Sequence, residues 1–101
     1  MIEQIISWDI YEITNEKTSL LGIKLRGSLR KFSLDNAFNL LTENAYDKDN
    51  CVRFAVLAGM NTNSIYKFLQ TLISGSQVSL ILSGINNPVL SKLKVNDVVR
   101  Y

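Results

Sequence analysis

Residues 52–72, VRFAVLAGMNTNSIYKFLQTL, run from a mostly apolar segment through a short polar stretch into a helix-periodic one. The apolar segment has strand length and is bounded by turn residues, which predicts a central strand covered on both faces or nearly so. Such a strand requires neighbours on either side and a layer packed against it. Beyond it, Ile65, Phe68, Leu69, Leu72 and Ile73 recur at helical spacing, and Gly75 stands where a C-terminal cap belongs. Asn61-Thr62-Asn63-Ser64 therefore marks the point where a strand's C-terminal end meets a helix N-terminus. Backbone N–H groups lack intrahelical partners there, and the helix dipole favours negative charge. A phosphate carried on a hydroxyl is accommodated at such a point, and Thr62 and Ser64 are the hydroxyls on offer. The alternative is that Asn61 or Thr62 simply caps the helix.

The rest of the chain is punctuated in the same way. Ile6, Trp8 and Ile10 alternate with polar or smaller residues, predicting a first strand over about residues 4–13. A turn at Thr14-Asn15-Glu16-Lys17 leads to LLGIKLRG, where Leu21, Ile23 and Leu25 alternate. That pattern predicts a second strand, ended by Gly27 and paired with the first as a hairpin. Ser33 reads as an N-cap for LDNAFNLLTENA, whose Leu34, Ala37, Phe38, Leu41 and Ala45 form one helical face. VSLIL reads as a short buried strand. Asn87-Pro88 then opens a short third helix with Val89, Leu90 and Leu93 on its apolar side, and DVVRY adds a last extended segment. Strands alternating with helices predict an α/β layer fold: a single domain over residues 1–101, with a mixed sheet of about four strands, parallel crossovers, and helices mainly on one face. Phe38, Leu41, Phe54, Val56, Phe68, Leu72, Leu80 and Leu82 are the predicted core.

Composition narrows the chemistry. The chain has 101 residues, 47% hydrophobic and 20% charged, which suits one globular domain. A net charge of +2, with Lys and Arg scattered rather than striped, points to no nucleic-acid partner. The lone Cys51 opens an apolar strand and reads as a buried small hydrophobe in a reducing compartment. No secretion-signal pattern stands at the N-terminus, and no apolar run approaches the roughly 20 residues of a membrane span. These features predict a cytoplasmic protein without direct membrane insertion. The chain has no His, which removes the commonest general base and metal ligand. Asp47 and Asp49 read as solvated loop charges, and no Gly-rich phosphate loop is present. The expectation is no enzyme, no cofactor and no metal.

Set out in this order, the chain resembles the STAS domain, the fold of anti-sigma factor antagonists. LLGIKLRGSL resembles that family's strand ending in a Gly-Glu-Leu-type turn, with Gly27 and Leu29 at the corresponding places. The strand over residues 52–58 and the segment LILSGINNPVLSKLKVNDVVRY follow in the family's order. The family signature Asp-Ser-Ser-Gly-Leu aligns with Asn61-Thr62-Asn63-Ser64-Ile65, placing Thr62 on the phosphoacceptor position. Asn61, Asn63 and Ser64 depart from that signature, and Arg30 stands where many members carry an Asp.

The resemblance implies a non-catalytic regulator that docks a protein partner, an anti-sigma factor or Ser/Thr kinase. The docking surface would be Asn61, Thr62, Asn63, Ser64, Ile65 and Phe68, with Thr62 as the switch and Ser64 as the fallback acceptor. Two other roles are compatible with it: an accessory subunit docked on the ATPase of an ABC-type lipid transporter, and a small-ligand or nucleotide sensor.

Overall fold

The computed structural model describes residues 6–20, 24–86 and 88–91. Within them the chain forms β1 (Trp8–Thr14), α1 (Leu25–Asp35), β2 (Leu40–Asn44), β3 (Cys51–Leu57), α2 (Asn63–Leu72) and β4 (Gln77–Ile85). One four-stranded sheet results, in the order β2-β3-β1-β4. The predicted class holds: an α/β domain with four strands and two helices. Both helices lie on one face, since Leu25 and Leu29 of α1 and Ile65 and Leu69 of α2 share a core with Ile13, Val52, Phe54 and Val56. Phe32 and Phe68 stack between the helices, their ring centroids 4.3 Å apart.

The expected parallel crossovers are corrected, because β1–β3, β1–β4 and β2–β3 all pair antiparallel. Each helix still joins two strands that run the same way, as a crossover demands. A third strand is inserted between them: β3 between β1 and β2, β1 between β3 and β4. This is the split β-α-β-β-α-β order of ferredoxin-like folds. Alternation of strands and helices in a sequence fixes direction but says nothing of which strands are neighbours.

β3 is the central strand that its apolar run predicts. Val52, Phe54 and Val56 face the helices, while Cys51, Arg53 and Ala55 are buried on the other side. The Cys51 thiol is enclosed, as a small hydrophobe would be, and burial pushes its pKa up, which disfavours the reactive thiolate.

Between β1 and β3 the prediction fails in detail. Leu25, Arg26 and Gly27 open α1 instead of ending a strand, so Gly27 and Leu29 are helical and no hairpin with β1 forms. Residues 21–23 lie outside the described residues. Leu25, Leu29 and Phe32 recur at helical spacing, and burying that stripe on the sheet outweighs the strand-like alternation of Leu21, Ile23 and Leu25. The helix predicted from Leu34 ends at Asp35 instead; Ala37 takes a left-handed backbone (φ 56°) and the chain turns into β2. Ser33 is no cap: it is buried inside α1, and its hydroxyl donates to the Arg30 carbonyl at 2.8 Å.

The predicted core needs the same revision. Phe54 and Val56 are fully buried, whereas Phe38, Phe68 and Leu82 are half-buried. Leu41, Leu72 and Leu80 are 39%, 42% and 53% exposed, because β2 and β4 are edge strands and α2 turns Leu72 outward at its end. Val89 and Leu90 are not helical; the third helix and final strand otherwise fall on Asn87 and residues 92–101, outside the described residues. Leu90 packs instead on Ile10 and Ala55, covering part of the sheet's second face.

Candidate functional site

The β3–α2 junction is built as its residue types dictate. β3 ends at Leu57, and Gly59 takes a left-handed backbone (φ 84°) that glycine adopts without strain. Asn61 then folds its carboxamide back, so that Oδ1 accepts from the Asn63 N–H at 2.9 Å. Thr62 is the residue before the helix, and its carbonyl accepts from the Tyr66 N–H at 2.9 Å. Its hydroxyl makes no capping hydrogen bond. Asn61 thus performs the local capping and leaves the Thr62 side chain outside it.

Of the six residues expected at a docking surface, Asn61, Asn63 and Ser64 are exposed and Thr62 is half-buried. Ile65 is fully enclosed in the core, so it offers a partner no surface. Phe68 is half-buried against Phe32. Tyr66, which the sequence reading passed over, is 50% exposed one turn into the helix.

Capping gives a direct check. Asn61→Ala is expected to cost about 0.5–2 kcal/mol of stability, and Thr62→Ala much less, by urea unfolding. The reverse ranking would mean that Thr62 is the true cap.

Beneath the junction lies Asp9, another residue that sequence reasoning missed. Its carboxylate accepts from the Gly59 N–H (3.0 Å), the Ser83 hydroxyl (2.9 Å) and the Gly84 N–H (3.1 Å). The Gly59 bond is the strongest influence, and together these bonds hold Asp9 below the ordinary carboxylate range despite burial. Asp9 ties the start of β1 to both the junction and β4. It is an anchor for the site, with its oxygens already engaged.

A second buried cluster occupies the opposite face of the sheet. Arg53, whose side chain is only 4% exposed, donates from Nε and Nη2 to Glu12 Oε2 (3.0 and 2.8 Å). Its Nη1 donates to Asp47 Oδ1 (2.6 Å) and to the Leu90 carbonyl oxygen (3.2 Å). Lys48 Nζ donates to Glu12 Oε1 at 2.9 Å. Asp47 is therefore a partner of a buried cation, not the solvated loop charge expected. A lone Arg inside the apolar run CVRFAVLA was the available signal, because a buried guanidinium requires an acid. The cluster also holds residues 88–91 across the sheet, helped by the Tyr46 N–H donating to the Ser91 carbonyl at 2.6 Å.

A cleft of about 260 Å³ at the start of α1 is lined by Lys24, Arg26, Arg30 and Asn44 among others. Two of these cations are committed within the protein, Arg26 to Glu43 (3.5 Å) and Arg30 to the Thr42 carbonyl (3.1 Å). Among the described residues no group of three or more His, Cys, Asp and Glu is placed to hold a metal, and no helix is long and apolar enough to cross a membrane.

Compared with known proteins, the chain matches no protein-family model, no curated protein and no solved structure.

Proposed function

We propose that the chain is a non-catalytic protein-binding regulator that docks a protein partner through the β3–α2 junction around Thr62. One observation carries this reading. Asn61 takes over the capping role, so the Thr62 hydroxyl stays out of the helix cap at a corner where Asn61, Asn63 and Ser64 are exposed. Tyr66 adds a half-exposed ring on the next turn, a residue type enriched in protein interfaces. The surface is rigid, because Ile65 and Phe68 fasten the same helix to the core.

The geometry supports the surface, and the sequence resemblance supplies the class of partner: an anti-sigma factor or Ser/Thr kinase in the cytoplasm. The antiparallel sheet departs from the layout that resemblance implies, so the partner class rests on the signature-like residues 61–65 alone. Docking sequesters the partner. Phosphorylation of Thr62, or of Ser64 in its place, would put roughly two negative charges into the docking face and release it.

The test compares Thr62→Glu with Thr62→Ala for binding to a partner captured from the native cell. Thr62→Glu is expected to weaken binding about tenfold or more with the fold intact, while Thr62→Ala keeps affinity near wild type. Equal affinity of the Glu variant and wild type would remove the switch. It would leave constitutive docking, as on a transporter ATPase, as the better account.

A further inference from the structure

The two edges of the sheet are finished differently. β2, at one edge, is five residues long and carries Glu43, which pairs with Arg26. Arg30 covers the Thr42 carbonyl on the same strand. Short length, charge and covered backbone are the usual ways of closing an edge to other strands. β4, at the other edge, is nine residues long, and its sequence QVSLILSGI has no charge and no proline. Register irregularities opposite Trp8–Ile10 and Ile10–Tyr11 break its later half. They leave Gln77, Val78, Ser79 and Leu80 in unbroken register with Thr14, Ile13, Glu12 and Tyr11. Among the described residues this stretch has a strand on one side only, and Leu80 is half-exposed beside it.

We propose that the outer edge of β4 pairs antiparallel with β4 of a second copy of the chain, on a two-fold axis through Ser79. In that register Leu80 faces Val78 of the second copy, and Ser79 faces its own counterpart. Val78 and Leu80 lie opposite Ile13 and Tyr11, which belong to the helix-side core. Pairing therefore covers Leu80, joins the two helix-side layers and doubles the four-stranded sheet. The occupant is a second copy because the segment is its own complement. Val78 and Leu80 flank Ser79 symmetrically, giving an apolar cross-strand pair on each side of the axis, and an uncharged strand meets itself without repulsion. This surface lies apart from the β3–α2 junction and does not rest on the docking reading.

Sedimentation equilibrium of the full chain over a wide concentration range tests the dimer, with Ser79→Lys and Ser79→Glu as probes. Ser79 is exposed and its cross-strand neighbour within the sheet is Glu12, so Ser79→Lys meets an opposite charge there and Ser79→Glu a like one. Circular dichroism and urea unfolding check that each variant stays folded before its dimer constant is read. Each variant alone places like charges opposite each other at the axis and is expected to raise the dimer dissociation constant about fivefold or more. Mixing the two is expected to restore dimers selectively as heterodimers. Leu80→Lys, which loses its contact twice by symmetry, is expected to give monomers. A wild-type chain that stays monomeric at every concentration would overturn the proposal, whether another part of the chain or another protein covers that edge. So would a dimer indifferent to all three substitutions.

Discussion

Arg53→Met is expected to destabilise the domain by about 3–5 kcal/mol at neutral pH, the usual cost of removing one partner from a buried ion pair. Met keeps much of the length and the packing of the stem, so the loss reports the charge. Without the guanidinium, Glu12 remains largely buried with only the half-exposed Lys48 beside it, and the Leu90 carbonyl loses its donor.

The pH dependence gives this effect a signature. Burial alone would raise the Glu12 pKa, but hydrogen bonds and charge from Lys48 and Arg53 outweigh it and hold Glu12 below its ordinary value of 4.5. A carboxylate depressed in the folded state contributes stability above its unfolded pKa, and that contribution is lost as pH falls through the folded value. In Arg53→Met the share of that depression supplied by Arg53 is lost while that of Lys48 stays, so the deficit relative to wild type is largest near pH 7 and narrows below about pH 4.5. Urea unfolding of both proteins at about pH 7 and about pH 4 measures it. A deficit below about 1 kcal/mol at neutral pH would mean that water already screens the cluster.

Phe54→Ala is the second large effect, expected at about 3–5 kcal/mol. Phe54 is fully buried on the central strand and stacks on Tyr11 with centroids 5.1 Å apart and planes 9° from parallel. Neither β3 nor its neighbours can close in on the cavity, because each is held in a ladder. Phe38→Ala should cost clearly less, since that ring is half-buried and meets Phe32 edge-on at 6.0 Å. Chemical denaturation of the two variants ranks them. A larger loss at Phe38 would place the centre of the core over α1 rather than on β3.

The parts of the fold that were legible are those where one period alone was available. Residues 52–58 are apolar except for Arg53, and residues 65–73 repeat at helical spacing alone, so β3 and α2 stand close to where they were expected. Residues 20–45 carry both periods. Leu21, Ile23 and Leu25 alternate, while Leu25, Leu29 and Phe32 share a helical face. Only the three-dimensional packing decides between them, and it leaves Leu34 exposed although its spacing had placed it on a buried face. Strand adjacency was illegible for another reason: the β-α-β pattern is the same whether the strands are neighbours or hold a third between them.

The candidate site divides similarly. Its position at a strand–helix junction follows from the sequence, and the structure places it between Leu57 and Asn63. Which of Asn61 and Thr62 caps α2 depends on the direction of one carboxamide, which no spacing encodes. Ile65 was grouped with the surface because the aligned signature is contiguous, whereas a helix turns successive residues to different sides. Asp9 and Glu12 lie on β1 and Arg53 on β3, and only the pairing of those two strands brings Glu12 opposite Arg53.

The central claim, docking at the β3–α2 junction, is tested most directly by amide hydrogen exchange of the chain with and without a partner captured from the native cell. Slowed exchange is predicted at the amides of residues 61–67, above the protection that α2 has when free. Slowing confined to other surfaces, such as β4 or residues 88–91, with the junction unchanged, would contradict it.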